Sequence, residues 1–431
     1  MFWDEQRETI SRHDLERMQV DRLRLTLGQA LKSPFYQKAL EGYPKADEIR
    51  DVRDLKRFPF TSKEDLRAAF PYGMLAVDRD EIVRMHSSSG TTGRATVIYH
   101  TMKDIGNWAD VMARSIYMAG VRTSDVFQNM IGYGLFTGGL GFHYGMEKVG
   151  ALVIPSGAGN SKRQIMLMQD FATTVIHATP SYALHLADVF SEMALDPAKD
   201  THLRIGFFGA EPYSKATQDR LEEIYGILAV NSYGLSEMNG PGVGMECPHR
   251  YGIHLWEDHF LVEVIDPVSL ESLPDGREGE LVLTSLQREG MPIIRYRTKD
   301  LTSVQPEPCP CGRTHRTISR ITGRTDDMLI IRGVNLFPMQ IEKVLMDTPE
   351  VGNNYQIILT TRDHLDELTI KVEVVDEGLS AHPEACRTLR ARLIDALRTE
   401  ILFTPSVELL APHTLPKSEG KAVRVIDQRE R

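Results

Sequence analysis

Apolar residues recur at near-helical intervals early in the chain. They are Leu15, Met18, Leu23, Leu25 and Leu31. This spacing predicts helices over residues 1–80. Thr61 or Ser62 stands before a run whose first turn is acidic, which is the pattern expected where a further helix begins. We interpret these helices as scaffold.

Helix-like and strand-like segments alternate between residue 100 and about residue 230. The helix-like segments are residues 108–119, 163–171 and 182–193, and the strand-like segments are residues 151–154, 174–177 and 203–208. Alternation of this kind predicts a parallel sheet with helices on its faces. Ligands of such sheets bind in the loops that follow the carboxyl ends of the strands.

The second half of the chain changes character twice. Residues 255–325 are rich in strand-forming residues, and the remainder mixes strand patterns with helix patterns at residues 338–346 and 383–402. The sequence therefore predicts an α/β protein of two domains. The N-terminal domain, residues 1–325, contains mixed or parallel sheets with helices and a β-rich subdomain. The C-terminal domain, residues 326–431, is a small, mobile α+β domain.

Composition narrows the classes of function. The chain has 431 residues, is 42% apolar and carries a formal net charge of −10, without a basic face or a long run of one sign. This balance disfavours nucleic acid and anionic membrane surfaces as partners and favours small molecules. The charged start and the absence of a long apolar stretch predict a cytoplasmic protein.

A short turn at residues 87–94 concentrates hydroxyl and glycine residues. It reads Ser-Ser-Ser-Gly-Thr-Thr-Gly-Arg and lies between two strand-like runs, residues 81–86 and 95–100. Glycines allow successive N–H groups to turn toward an anion, and hydroxyls donate further hydrogen bonds, so the turn suits a polyphosphate. It is not a Walker A loop, because Arg94 and Ala95 follow the second glycine. A flexible Ser/Gly linker is the alternative interpretation.

Three of the four cysteines fit a structural zinc site. Cys309 and Cys311 lie two positions apart, and Cys247 and His254 precede them on the other side of the β-rich section. Three cysteines and one histidine form a regular closed zinc set. His249 or His315 could replace one of these ligands. Cys386 belongs to a predicted helix and is left out.

Six segments in this order resemble the motifs of the acyl-adenylate-forming superfamily, which includes the acyl-CoA synthetases. They are residues 87–93, 208–212, 233–237, 296–300 and 323–327, and Lys421. Three further segments, residues 132–139, 256–260 and 330–338, resemble the phenylacetate–CoA ligase family more narrowly. That family does not always carry the cysteines, so the zinc site resembles a zinc-bearing subset.

The resemblance implies an ATP-dependent ligase of the acid–thiol class. An aryl acid similar to phenylacetate would form an acyl-adenylate and pyrophosphate, and coenzyme A would then take the acyl group as a thioester and release AMP. Lys421, Glu237 and Thr91 are implied as catalytic residues, and Glu237 would hold Mg²⁺. Lys417 is a competitor for the lysine. Glu237 alone reads equally well as a solvated loop carboxylate.

The same resemblance implies the binding residues. The ATP and AMP contacts are Ser88, Ser89, Gly90, Thr91, Thr92, Gly93, Gly209, Ala210, Glu211, Pro212, Ser232, Tyr233, Gly234, Arg297, Asp300 and Arg324. The pocket for the acid is assigned to Tyr133, Phe136, Gly209 and Ala210. Asp326 is the implied hinge for a rotation of the small domain, with Thr325 or Asp327 as alternatives. By the same analogy we expect a homodimer.

Two other functions remain open at this point. One is an adenylating synthetase that acts on another acid or on a deazaflavin coenzyme and makes no thioester. The other is a non-catalytic nucleotide-binding protein, which is disfavoured because Glu237, Asp300 and Lys421 are all present. Release of pyrophosphate distinguishes the enzymes from the binding protein, and consumption of coenzyme A distinguishes the two enzymes.

Overall fold

The computed structural model describes residues 1–88, 95–362, 365–380, 382–416 and 422–429. The helices in this part of the chain are α1 (Glu5–Glu8), α2 (Arg12–Ala30), α3 (Pro34–Ala39), α4 (Lys63–Ala68), α5 (Met102–Met118), α6 (Gly138–Val149), α7 (Ser161–Asp170), α8 (Pro180–Glu192), α9 (Lys215–Tyr225), α10 (Pro338–Met346), α11 (Glu377–Ser380) and α12 (Pro383–Ile401). None of these described helices combines the length and the apolar content needed to cross a bilayer.

The strands are short in the first half of the chain and longest near the C-terminus. They are β1 (Arg84–Ser87), β2 (Val97–His100), β3 (Val126–Asn129), β4 (Leu152–Ile154), β5 (Val175–Ala178), β6 (Ile205–Gly209), β7 (Leu228–Leu235), β8 (Gly240–Glu246), β9 (Ile253–Leu255), β10 (Phe260–Ile265), β11 (Gly279–Ser285), β12 (Tyr296–Thr302), β13 (Thr317–Ile318), β14 (Gly323–Arg324), β15 (Leu329–Ile331), β16 (Val334–Leu336), β17 (Val351–Arg362), β18 (Leu365–Val374), β19 (Ser406–Leu410) and β20 (Val425–Asp427).

Polar residues fix where several helices begin. The Ser62 hydroxyl accepts from the Asp65 N–H, and the Asp65 carboxylate accepts from the Ser62 N–H at 2.7 Å, so a capping box starts α4. The prediction of a helix start here is confirmed, with Ser62 as the cap. Thr61 is buried instead and donates to the Ile294 carbonyl. Such a cap supplies partners for N–H groups that the first turn leaves unpaired.

The chain divides into two compact units, each built from several segments. Unit 1 is Met1–Gly157, Val175–His177 and Val230–Ile321, and unit 2 is Ala158–Thr174, Ala178–Ala229 and Thr322–Arg431. The sequence suggested a boundary between residues 325 and 326, after which a small C-terminal domain moves as one body. That boundary stays a prediction.

Unit 1 contains the predicted parallel strands. β3 pairs in parallel with β4 and with β5, in the registers Val126 opposite Leu152 and Phe127 opposite Val175. Helices α5 and α6 pack against each other closely, because a Cβ at Gly145 would stand only 2.6 Å from the Met112 side chain. Parallel pairing in this region is therefore confirmed.

Antiparallel strands in the same unit carry much of the candidate site. β7 pairs with β8, β8 with β9, and β9 with β13. Strand β8 reads Gly-Pro-Gly-Val-Gly-Met-Glu, a composition that does not predict a strand. Packing explains it, because a Cβ at Gly240 would lie 2.5 Å from Thr137, and one at Gly242 would lie 2.7 Å from the Met112 sulfur.

Two further antiparallel arrangements complete unit 1. β10, β11 and β12 form successive pairs, with Phe260 opposite Ser285 and Leu283 opposite Tyr296. β1 and β2 form a hairpin in which Arg84 faces His100. The turn that joins β1 and β2 includes residues 89–94, which lie outside the described part of the chain.

Unit 2 has its own apolar core around a four-stranded sheet. The sheet order is β19-β18-β17-β20, and α10 and α12 contribute buried residues to the same cluster. Central members are Ile341, Leu345, Ile357, Ile370 and Leu397, all fully buried. Arg220 of α9 donates to the carbonyl of Met346, which the end of α10 leaves without a helical partner, and to the carbonyl of Thr348 in the turn that follows.

Candidate active site and metal cluster

The base of the hydroxyl-rich turn is held by backbone and side-chain bonds. The Ser88 N–H donates to the Thr96 carbonyl at 3.1 Å, and the two hydroxyls of Ser88 and Thr96 are 2.6 Å apart. The candidate contacts Ser89, Gly90, Thr91, Thr92 and Gly93 lie outside the described residues. The structure thus describes the two strands that present the turn.

The loop assigned to the acid pocket is bonded to the strand that enters this turn. The Leu135 carbonyl accepts from the Ser87 N–H at 2.9 Å and from the His86 Nδ1–H at 3.1 Å. Phe136 lies against Gly138, since a Cβ at Gly138 would come within 2.5 Å of the Phe136 ring. Glycine is required there for the ring to keep its position.

Tyr133 is fixed by a chain of hydrogen bonds in unit 1. Its hydroxyl accepts from the Asn129 amide at 2.8 Å and lies 3.2 Å from His143 Nδ1, whose other ring nitrogen is 3.0 Å from the Glu147 carboxylate. Burial raises the pKa of Tyr133 to about 12, so the phenol stays protonated. Gly209 and Ala210, the other residues assigned to the pocket, belong to unit 2.

Glu237 lies in a single 3₁₀ turn, Ser236–Met238, between β7 and β8. The residue is 6% exposed, and within the described chain its carboxylate makes no hydrogen bond or ion pair. The Arg288 guanidinium donates to the Glu237 main-chain carbonyl at 2.5 Å. A buried carboxylate normally needs a cation or hydrogen-bond donors, so this carboxylate is suited to a metal ion.

Tyr233 and Asp300 come together from two different strands. The Tyr233 hydroxyl donates to Asp300 Oδ2 at 2.5 Å, and both residues are buried. Ser232 and Gly234 flank this tyrosine on β7, and a Cβ at Gly234 would stand 2.1 Å from the Gly240 carbonyl oxygen. The short contact indicates a charge-assisted bond that orients the carboxylate.

Arg297, one of the candidate nucleotide contacts, forms an ion pair within unit 1. Its guanidinium donates to both oxygens of the fully buried Glu280, at 3.0 and 2.7 Å. A paired bidentate contact of this kind stabilises β11 against β12. The structure therefore places Arg297 in an internal ion pair.

In unit 2, the end of β6 and the loop after it carry four of the candidate ATP and AMP contacts. Gly209 is buried at the end of the strand, Ala210 has a left-handed φ of 69°, and Pro212 is exposed. Glu211 accepts from the Ser181 N–H at 2.7 Å and from the Ala422 N–H at 3.3 Å. Burial raises the pKa of Glu211.

A cavity of about 450 Å³ opens beside this loop within unit 2. Its lining includes Pro180, Glu211, Pro212, Arg324, Asp326, Tyr355, Ala422 and Arg424. Arg324 donates to both oxygens of Asp326, the candidate hinge, at 2.9 and 3.0 Å. Lys421 and Lys417 lie outside the described residues, but Ala422, which follows Lys421 directly, lines the cavity.

The predicted metal ligands form one cluster in unit 1. The sulfur atoms of Cys247, Cys309 and Cys311 and a ring nitrogen of His254 all lie within 4.8 Å of one another. Cys247 Sγ is 3.6 Å from Cys309 Sγ, and Cys311 Sγ is 3.4 Å from His254 Nε2. Sulfur ligands of tetrahedral zinc stand about 3.8 Å apart, so the donor set fits that ion.

The two substitute ligands are placed elsewhere. His315 Nδ1 accepts from the Glu257 N–H at 2.9 Å, and His315 Nε2 donates to the Arg7 carbonyl at 2.9 Å. His249 is exposed and outside the described cluster. The neighbouring Cys247 thiol and His254 hold the pKa of the Cys311 thiol well below its usual range.

Sequence reasoning missed a network of buried ion pairs beside this cluster. Glu257 binds Arg12 at 2.9 Å and Arg316 at 2.9 Å, and Asp258 binds Arg114 at 2.8 Å. Burial alone would raise the pKa of Glu257, but the two arginines outweigh it and lower that pKa to about 2. Residues 256–260 had drawn attention only through resemblance, and no local pattern indicates partners so distant in sequence.

Comparisons with known proteins match the chain over nearly its whole length. The family model described as AMP-binding enzyme matches residues 25–287, and the AMP-binding enzyme C-terminal domain matches residues 333–429. The phenylacetate–coenzyme A ligases of Aromatoleum evansii and Pseudomonas putida are each 46% identical to this chain, over 98% of it and 96% of their own length.

Solved structures of related ligases superpose on this chain. A crystal structure of 2-hydroxyisobutyryl-CoA ligase in the postadenylation state, in complex with R3-HIB-AMP, matches with a TM-score of 0.93 at 30% sequence identity. The match covers 99% of this chain and 92% of that one.

Proposed function

Since the chain belongs to the AMP-binding enzyme family, together with the phenylacetate–coenzyme A ligases, we propose that it joins an aryl acid of the phenylacetate type to coenzyme A. The acid carboxylate attacks the α-phosphorus of ATP, and the bond to the leaving pyrophosphate breaks. The thiol of coenzyme A then attacks the acyl carbonyl, and AMP leaves. The full-length identity to the phenylacetate–coenzyme A ligases carries this proposal.

The first half-reaction brings two anions together, so the site must supply positive charge. Mg²⁺ bound to the ATP phosphates supplies that charge when present. Glu237 is the residue that we assign to hold it, because its buried carboxylate makes no other described bond. Thr91 and the neighbouring residues of the turn are proposed to hold the phosphates.

The second part of the nucleotide site is the pair of Tyr233 and Asp300. Two hydrogen bonds from ribose hydroxyls require an acceptor with two oxygens in a fixed orientation. The Tyr233 hydroxyl fixes Asp300 through one oxygen at 2.5 Å. We therefore assign ribose binding to Asp300 and orientation of that carboxylate to Tyr233.

Lys421 is proposed as the group that stabilises charge on the reacting phosphate. The contact of the Ala422 N–H with Glu211 at 3.3 Å supports this assignment, because Ala422 follows Lys421 in the chain and Glu211 is itself a candidate nucleotide contact. Residues 326–431 would then rotate about Asp326 to open the second half-reaction, a movement of the hinge class. Rotation requires the Arg324–Asp326 ion pair to rearrange, since both residues belong to the hinge segment.

The cysteine–histidine cluster is proposed as a structural zinc site. All four donors come from the protein, which leaves no position for a substrate. A bound ion of this type stabilises the loop at residues 309–316 and supplies no chemistry to the reaction. Elemental analysis of protein purified without chelator checks it, with about one zinc per chain expected.

A panel of acids tests the proposed reaction. Phenylacetate, a hydroxylated phenylacetate, indoleacetate, benzoate and acetate are each supplied with ATP, Mg²⁺ and coenzyme A, and pyrophosphate release and loss of free thiol are followed together. Both signals are expected with arylacetates. Pyrophosphate without loss of thiol would instead indicate transfer of AMP to another acceptor, and neither signal with any acid would contradict catalysis.

The lysine assignment has a separate test. Lys421→Ala is expected to slow pyrophosphate release far more than thioester formation from a supplied acyl-adenylate, because only the first step develops charge at the phosphate. Equal loss in both steps would refute the role. Lys417→Ala serves as the matched control and is expected to leave both steps nearly unchanged.

We also propose that the chain acts as a homodimer, as its resemblance to the family implies. Light scattering at micromolar concentration is expected to give twice the 48.6 kDa mass of one chain. A monomer at that concentration would contradict the assignment.

A further inference from the structure

Arg288 is a buried cation that the reaction described above does not use. The residue follows β11 and is 4% exposed. Its guanidinium donates to two main-chain carbonyls, those of Glu237 at 2.5 Å and Tyr99 at 3.3 Å. Its Nε is buried and has no hydrogen-bond partner in the described part of the chain.

The fold keeps this charge although it is costly to bury. Burial lowers the pKa of Arg288 to about 10, and the nearby charges of Asp104 and Glu237 oppose this shift without cancelling it. Among the described residues no carboxylate lies within ion-pair distance of its guanidinium. Asp104, whose charge has the larger effect of the two, already accepts from the N–H groups of Thr101, Glu289 and Gly290. A buried cation without a paired anion normally indicates a specific task.

The two carbonyls that accept from Arg288 lie on the two elements to which we assign nucleotide binding. Glu237 lies in the turn that carries the assigned metal carboxylate. Tyr99 is in β2, the strand that leaves the hydroxyl-rich turn, directly opposite Met85 of β1. One guanidinium thus joins the hairpin of β1 and β2 to the turn Ser236–Met238.

The turn at Glu237 needs such a support. It is a single 3₁₀ turn of three residues, followed by Asn239 with a left-handed φ of 82°. A 3₁₀ turn of this length has few internal hydrogen bonds. The bond from Arg288 to the Glu237 carbonyl therefore fixes the orientation of that peptide, and with it the direction in which the carboxylate leaves the backbone.

We infer that Arg288 is a positioning residue for the magnesium carboxylate: it holds the Glu237 turn and the strand β2 at a fixed separation, and so fixes the direction of the metal ligand. This inference rests on the proposed function, because it takes Glu237 as the metal ligand. Arg288 contacts neither substrate nor metal in this scheme.

The test compares two buried arginines. Arg288→Lys keeps the charge but reaches only one carbonyl, and Arg288→Met removes the charge. Arg114→Lys is the matched control, because Arg114 is also fully buried but is held by Asp258 at 2.8 and 3.2 Å. Pyrophosphate release is measured against Mg²⁺ concentration for each variant.

The Mg²⁺ concentration at half-maximal rate is expected to rise about tenfold in Arg288→Lys and further in Arg288→Met, with the rate partly restored at high Mg²⁺. Thioester formation from supplied acyl-adenylate should stay within about twofold of the parent protein. Arg114→Lys is expected to lower the unfolding temperature and leave the Mg²⁺ midpoint unchanged. An unchanged Mg²⁺ midpoint in Arg288→Lys would overturn the inference.

A second measurement does not depend on turnover. Binding of Mn²⁺ in the presence of a non-hydrolysable ATP analogue is followed by electron paramagnetic resonance. Weaker binding by at least about tenfold in Arg288→Lys supports the inference even if no acid in the panel reacts. Equal Mn²⁺ affinity in the two proteins contradicts it, whether or not the parent protein is a ligase.

Discussion

The cysteine–histidine cluster and the Glu237 turn lie in the same unit, yet they are built in opposite ways. The cluster brings four donor atoms within 4.8 Å of one another, so every ligand faces the others. At the turn, a buried carboxylate has no partner in the described chain, and a buried cation behind it binds only carbonyls. We call the cluster the closed region, because its donor atoms satisfy one another, and this arrangement suits stability. We call the Glu237 turn the open region, because its carboxylate is left for a ligand, and this arrangement suits binding of a substrate with its metal ion.

The largest expected effect is on the closed region. Replacing Cys309 and Cys311 by serine together removes two of four metal ligands and should lower the free energy of unfolding by about 4 kcal/mol or more. Zinc content and urea unfolding measure this. The single variant Cys386→Ser, whose thiol lies outside the cluster, is expected to keep both the metal and the stability of the parent.

The same double variant also separates the two regions. Since the cluster supplies no chemistry, molecules that remain folded should keep kcat within about twofold. A proportionate loss of kcat in fully folded protein would show that the comparison is wrong.

The open region should behave in the reverse way. Glu237→Gln keeps the shape of the side chain and removes its charge, so pyrophosphate release should fall by about 10²- to 10³-fold. Urea unfolding of the apo protein should hardly change, because the carboxylate makes no hydrogen bond or ion pair among the described residues. A large destabilisation with normal turnover would be the contrary finding.

Tyr233→Phe should also lower activity and not stability, but by less than Glu237→Gln. It removes one hydrogen bond to a carboxylate, which corresponds to about 1.5–3 kcal/mol and thus to a decrease of about 10- to 100-fold in kcat/KM for ATP. Initial rates at varied ATP measure it. If Asp300 needs no orientation by Tyr233, kcat/KM will not change.

The smallest expected effect concerns a buried histidine near the loop assigned to the acid pocket. Like the closed region, it affects stability and not catalysis. His177 is fully enclosed, lies 3.0 Å from Asn129, and burial lowers its pKa to about 3. The unfolded chain therefore binds a proton below about pH 6.5 that the folded chain does not bind until about pH 3. Its contribution to stability is present above pH 6.5 and falls as the pH decreases, by up to about 1.4 kcal/mol per pH unit.

Urea unfolding at pH 7.5, 6.5 and 5.5 measures this dependence. His177→Gln cannot take up the proton, so its stability should fall less steeply between pH 6.5 and pH 5.5. Identical slopes for the two proteins would assign the acid sensitivity to other buried groups, such as His259, whose pKa is likewise lowered to about 3 by burial.

Local signals in the sequence predicted most elements. Residues 338–346 form α10 as expected, and a capping residue before Asp65 marks the start of α4. Strand β8 could not be predicted, because its glycines are there for contacts with Thr137 and Met112, which are far away in sequence. Propensity describes a residue and its neighbours, whereas these contacts arise only once α5 and the loop before α6 have packed.

The zinc ligands, the nucleotide-site residues and Arg288 could be predicted from the sequence to different degrees. The cysteine spacing indicated zinc without any resemblance, because few other tasks need three thiols and a histidine. Asp300, Glu237 and Tyr233 became candidates through family motifs, and the bond between Tyr233 and Asp300 is visible only in the structure. Arg288 gave no signal at all, because an arginine after a strand resembles any surface charge and its acceptors are main-chain carbonyls.

The N-terminal segment is bound by residues that are made long after it. Glu8 pairs with Arg313 at 2.6 Å, its carbonyl accepts from the Thr314 N–H, and Arg12 pairs with Glu257. The first helix therefore leaves the ribosome well before Arg313 and Thr314 have been synthesised. The contacts of α1 with Arg313 and Thr314 can form only after those residues have emerged, so α1 lacks these partners during most of synthesis, when chaperones and proteases have access to it.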